Sequence, residues 1–317
     1  MKVPGYIMRK LLAGIPLILG VTFVSFLLMV YFGPDKTYEL LGKNPTTGQI
    51  EEVRRQLGYD RPFLQRYVAY LHELATLDLG HSESSGEPVT GLIARTLPIS
   101  LALVLPGFVL GNALGVLLGL LAAWWRGGWL DRLVMGASVI GMSVSFLVII
   151  ILLQWLLCTP WGVNWFPARG WAVSGFTSYL WYVTVPSLAL ILVTLGYNTR
   201  FYRAVLAEEL GRDHVRTAES FGATPGRVLF GHVLRNALIP ILTRLMFSIP
   251  LIVISGSLLL ESYFGIPGIG KATFEAITSG DQTVLKAVVG LTAVMFVLLQ
   301  LLADICYRLA DPRVAAL

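Results

Sequence analysis

Charge is scarce in this sequence. Of 317 residues only 14% are Asp, Glu, Lys or Arg, while 55% are hydrophobic. Soluble domains carry about 25% charged residues, so an ordinary soluble globular domain is excluded. Cysteine is scarce too, limited to Cys158 and Cys306. Two isolated thiols form no metal motif. The spans assigned below put them near opposite faces of a bilayer, too far apart for a disulfide, so they read as small apolar fillers. The four histidines, His72, His81, His214 and His232, include no pair at i, i+4, and metal ligation has no support. Carboxylates are missing from the middle of every long apolar run, and Glu261 and Asp304 stand near run ends. An ion-coupled carrier ordinarily keeps such groups inside its spans, which argues against a stand-alone secondary transporter. The net charge of +5 comes from Lys and Arg scattered over loops. That is no nucleic-acid footprint, and no nucleic-acid partner is expected.

What is abundant is apolar length. Six segments reach the roughly 20 residues needed to cross hydrocarbon as helix. They are Leu11–Phe32, Leu97–Ala123, Leu133–Leu157, Tyr182–Tyr197 (running on into Phe201–Leu210), Ala237–Leu260 and Val284–Tyr307. The first is too long for a signal-peptide core and has no small-x-small cleavage site after it, so it reads as a retained span. The expected fold class is an all-α polytopic membrane protein with six transmembrane helices. Loop charge sets its orientation. Arg126 and Arg132 lie in one loop, and Arg200, Arg203, Arg212, Arg216, Arg227 and Arg235 in another, whereas the opposite loops hold only Arg169 and only Lys271. Both termini and the charged loop 198–236 are therefore expected in the cytoplasm.

The chain divides into an N-terminal end with the first span (1–32), an extracytoplasmic helical insertion (33–96) and a five-span core (97–317). In the insertion, Thr46 and Gln49 suit a capping box. Ile50, Val53 and Leu57 make an apolar stripe stopped at Gly58. Asp60 and Pro62 open a second helix with Phe63, Tyr67, Tyr70 and Leu74 inward. This insertion reads either as a cap packed on the spans or as part of a docking surface. Gly111, Gly115 and Gly119 recur every four residues, a face that admits another helix closely. The tryptophans at 155, 161, 165, 171 and 181 read as interfacial anchors, with contact to a solute or its carrier as the alternative.

Polar residues within spans are few. Asn112, Ser143, Ser145, Gln154, Arg244 and Ser255 are the candidates for a translocation path. Arg244, about two turns into the fifth span, should face protein or water rather than lipid. Gly265-Ile-Pro-Gly-Ile-Gly270-Lys271-Ala272 nearly matches a phosphate-binding loop. However, Ala272 replaces the magnesium-binding hydroxyl and no strand precedes it. It reads as a turn and re-entrant cap, so this chain is expected to hold no cofactor and to hydrolyse no ATP.

The most polar stretch is Asn198–Thr243. Asp213 suits an N-cap for a short helix His214–Phe221, Gly222 a left-handed stop, and Thr224-Pro225 the start of the next helix. Val215, Ala218 and Phe221, at i, i+3 and i+6, fall on roughly one face. A helix this short needs bracing or a docking partner, and such a face suits a groove on a soluble protein.

This stretch resembles the "EAA" loop of ABC-importer permeases. Arg216-Thr217-Ala218 is followed by Glu219-Ser220-Phe221, then Gly222, then Gly231 nine residues on and His232-Val233-Leu234-Arg235. Glu-Ala-Ala itself is absent, and Arg235 stands where many members have Pro. Both departures are similar to the dipeptide/oligopeptide/nickel branch. The N-terminal MRKLLAGIPLILGVTFVSFLL, LDLGHS, ESYFGIPGIG and the terminal DPR extend the resemblance over nearly the whole chain. It implies a bacterial inner-membrane subunit of type I permease fold that forms half of a pore for peptides or a related small solute such as nickel or glutathione. The implied partners are a second homologous permease, two ABC ATPase subunits that bind ATP and magnesium, an extracytoplasmic binding protein and membrane lipid. The residues implied to couple to the ATPase are Asp213, Val215, Arg216, Thr217, Ala218, Glu219, Phe221 and Gly222.

Overall fold

The computed structural model describes residues 3–33, 37, 41, 46–56, 58–252 and 257–310. Among these, five helices are long and apolar enough to cross a membrane, and a bent pair supplies a sixth if counted as one span. The spans are α1 (Val3–Phe32), α4 (Val89–Trp124), the pair α5 (Trp129–Ser143) and α6 (Phe146–Cys158), α7 (Phe176–Leu210), α9 (Leu234–Leu251) and α12 (Gln282–Ala310). Shorter helices are α2 (Thr47–Gln56), α3 (Phe63–Thr76), α8 (Asp213–Ser220), α10 (Ser257–Phe264) and α11 (Ile269–Ser279). The chain sorts into two compact units, residues 1–95 with 272–298 and residues 96–271 with 299–317.

In the first unit the two short helices fall where the sequence places them. The Gln49 side chain accepts the Thr46 amide at 3.0 Å, the Gln half of a capping box. Gly58, at φ +67°, ends the turn after α2. Leu57 lies outside the described residues. In α3, Tyr67, Tyr70 and Leu74 are buried as their spacing predicts, with Phe63 partly buried beside them. The Tyr67 hydroxyl donates to the Leu19 carbonyl of α1 at 2.8 Å, and the Tyr70 ring stacks on Phe26 at 5.5 Å. Polar tips thus reach backbone acceptors while the rings supply apolar area. Asp281 caps α12, accepting the Val284 amide at 3.1 Å, and also takes the Ser82 hydroxyl at 2.6 Å and the Ser84 hydroxyl at 3.0 Å.

In the second unit α7 is the shaft on which the others pack. Leu103, Val104 and Phe108 of α4, Ile150 and Leu153 of α6, Val183, Ala189 and Leu190 of α7, and Leu260 and Phe264 of α10 form one buried cluster. The glycine stripe of α4 faces α7. A Cβ at Gly119 would lie 2.9 Å from the Arg203 amide nitrogen and 3.0 Å from the Tyr202 Cβ, so only hydrogen fits there.

One expectation of regular helix fails. The third span is not one helix over Leu133–Leu157, because α5 and α6 meet at 97°. Val144 and Ser145 are extended, and the Ser143 hydroxyl turns back onto the Val139 carbonyl at 2.9 Å. Hydropathy, which located the span, carries no signal of these backbone angles. The lead-in to the fifth span is irregular: Pro225 opens it as expected, but Arg227–Val233 winds as a π-helix before α9, which runs to Leu251. Residues 253–256, with Ser255 among them, lie outside the described residues.

The phosphate-loop look-alike follows α10. Glu261 at its base is fully buried and accepts the Ser100 hydroxyl and the Lys271 amide at 2.8 Å. A side chain at Gly268 would collide with the Glu261 carboxylate. The glycines of this loop therefore enclose a carboxylate of the chain itself.

Candidate functional site

The short helix expected on the polar stretch is α8, and it is braced from behind. Val215 is 1% exposed and sits in a cluster with Tyr202 and Leu206 of α7, Val228 and Val233 of the π-helix, and Ala237 and Ile241 of α9. Arg212, just before α8, pairs with Glu209 at 3.0 Å and Glu208 at 3.3 Å at the end of α7. The ring Nε2 of His214 meets the Asn236 amide nitrogen at 3.1 Å, joining α8 to α9. This is how eight residues stay helical without the length for independent stability.

The termini of α8 obey partly different rules from those expected. Asp213 is not a side-chain cap. It is the first helical residue, Arg212 holds the cap position, and no side-chain cap bond forms. Its carboxylate still faces the positive end of the helix dipole. At the other end the stop is as expected. Gly222 adopts φ +77°. Its amide bonds the Glu219 carbonyl at 2.9 Å and the Ala223 amide bonds the Ala218 carbonyl at 3.1 Å, a Schellman closure.

One geometric expectation is corrected. Val215, Ala218 and Phe221 do not share an exposed stripe, because Val215 points into the core and Phe221 is 88% exposed. At 3.6 residues per turn, six residues carry the chain through about 600°, which leaves Phe221 about 120° around the axis from Val215. The outward surface is instead Arg216, Thr217, Glu219 and Phe221, with Ala218 half-buried at its edge.

The polar residues singled out for a translocation path are not gathered together. Asn112 is buried, and its Oδ1 accepts Asn198 at 2.9 Å and the Tyr202 hydroxyl at 2.7 Å. Gln154 donates to the Ala168 carbonyl at 2.6 Å. Ser143 and Ser145 flank the bend between α5 and α6. Arg244 is exposed, with its guanidinium 5.4 Å from the Phe201 ring centroid. A second polar pair escaped the sequence reading altogether. Arg203 of α7 grips Asp131 of α5 with Nε–Oδ1 at 3.0 Å and Nη2–Oδ2 at 2.6 Å, and Asp131 is buried. The only available hint was an aspartate in the first turn of a span beside an arginine-rich loop.

The fold is thus a polytopic helical body that displays a short helix on a polar loop. The chain belongs to the family of binding-protein-dependent transport system inner membrane components. That family's description matches residues 115–316, and its N-terminal counterpart matches residues 4–104. Similarity to individual relatives runs end to end. The dipeptide transport system permease protein DppB of Lactococcus lactis subsp. cremoris is 33% identical, covering 98% of both chains. The di/tripeptide transport system permease protein DppB of Pseudomonas aeruginosa is 31% identical with the same coverage. The dipeptide transport system permease protein DppB of Alkalihalophilus pseudofirmus is 29% identical over 98% of this chain and 99% of its own.

Proposed function

We propose that this chain forms half of the pore of an ATP-driven peptide importer. It pairs with a second homologous permease, receives peptide from an extracytoplasmic binding protein and is driven by two ATPase subunits that hold ATP and magnesium. The observation that carries the coupling role is the seat of α8. Val215, Arg212 and His214 fasten its inner side, while Phe221, next to Arg216 and Glu219, is 88% exposed. An exposed aromatic on a firmly held support is the form a docking anchor takes. The peptide class is supported by the names of the full-length relatives. The arginine-rich loops support a cytoplasmic location for both termini and for α8. Closure of the ATPases displaces α8, and the spans alternate between inward- and outward-facing states.

Reconstitution tests this reading. Proteoliposomes holding the chain with its permease and ATPase partners should accumulate labelled dipeptide only when both ATP and the binding protein are supplied. Uptake by this chain without any ATPase would contradict it.

A further inference from the structure

Asp131 does more than pair with Arg203. Its Oδ2 also accepts the Gly127 amide at 2.9 Å, in the turn between α4 and α5. One buried carboxylate therefore ties the α4–α5 turn and the first turn of α5 to the C-terminal part of α7, through a two-pronged guanidinium contact of fixed geometry. On the same part of α7, Asn198 and Tyr202 bind Asn112 of α4. Immediately below, Tyr202 and Leu206 belong to the cluster that seats Val215 of α8. At its far end α5 stops at the 97° bend of Val144 and Ser145.

We infer that Asp131 and Arg203 are positioning residues that make α5 move with α7 and α8 as one body, with the bend at Val144–Ser145 as the joint to α6. This rests on the proposed role of α8 as the ATPase contact and names the residues that carry its displacement into a span. A buried ion pair is a poor source of net stability, since desolvation offsets its attraction. What it supplies is direction and rigidity, and a relay needs both.

The test is a double-mutant cycle on the reconstituted transporter with D131N, R203Q and the double variant. The readout is labelled dipeptide imported per ATP hydrolysed. Each single variant should lower that ratio about tenfold, within the 5–150-fold span of typical site-to-site coupling. The double variant should be no worse than either single one, because the two residues act as a unit. Loss of packing alone would lower the amount of assembled complex, and uptake and hydrolysis together, leaving the ratio unchanged. An unchanged ratio in both single variants, or an effect in the double variant equal to the product of the two, overturns the inference. Crosslinking from position 221 to the ATPase separates the two readings. If it fails in the otherwise wild-type complex, the α8 contact itself is wrong. If it persists in D131N while the ratio stays normal, only the relay is wrong.

Discussion

Gly222 is the residue on which the shape of the α8 loop turns. Its φ of +77° closes α8 and points the chain back toward the π-helix. A side chain there meets no neighbour, so the requirement is for backbone conformation and not for space. Gly222→Val should cost about 1–2 kcal/mol locally. The protein should remain inserted, with stimulated ATPase activity and uptake both reduced. Gly222→Asn, which tolerates the left-handed region, should retain more of each. Asp281 gives a pH signature of the first unit. Burial alone would raise its carboxyl, but the Ser82 hydroxyl, the Val284 and Ser84 amides and the Ser84 hydroxyl outweigh burial and hold it below the ordinary aspartate value. Folding therefore favours the charged form. Its contribution is complete above the unfolded value of about 3.9 and is lost as pH falls through the lower folded value. Thermal unfolding followed below pH 4 should show that loss in the wild type. Asp281→Asn should be less stable at pH 7 and show a flatter acid limb.

At the scale of elements, the sequence is most readable where one physical rule dominates. Apolar length located the spans, and the Gly222 stop and the inward Tyr67, Tyr70 and Leu74 followed from local chemistry. The bend at Val144–Ser145 was hidden because apolar length does not report a local switch of the backbone to extended angles. The π-helical Arg227–Val233 was hidden because its residues fit an α-helix equally well. The Asp131–Arg203 pair joins positions 72 apart, and nothing local in either stretch names the other. Glu261 was seen only as a carboxylate near a span end, and its burial depends on Ser100, which lies 161 positions away. The α4 glycine face was legible as a close-packing surface but not as one facing α7. Gly119→Ala puts a methyl against the Arg203 amide and the Tyr202 side chain. It should destabilise the α4–α7 contact by about 1–3 kcal/mol as overpacking, read as a lower unfolding temperature of the purified protein.

At the scale of the whole molecule, several polar side chains inside the spans make internal ties, among them Asn112 to Asn198 and Tyr202, and Gln154 to the Ala168 carbonyl. Under the proposed function, the motion that drives transport enters through α8, the short helix held out on a polar loop. Phe221 contributes little to the fold at 88% exposure, and surface substitutions of that kind usually stay within about 0.5 kcal/mol. Phe221→Ala should accordingly leave unfolding unchanged while weakening ATPase association by about tenfold, as loss of an anchoring aromatic does. The most direct measurement is site-specific crosslinking of Phe221→Cys, in a background lacking Cys158 and Cys306, within the assembled transporter. A crosslink to the ATPase whose yield changes between nucleotide-free and ATP-bound complexes is the predicted result. An actively pumping complex in which position 221 never crosslinks to the ATPase, or is labelled from outside the cell by an impermeant thiol reagent, would contradict it.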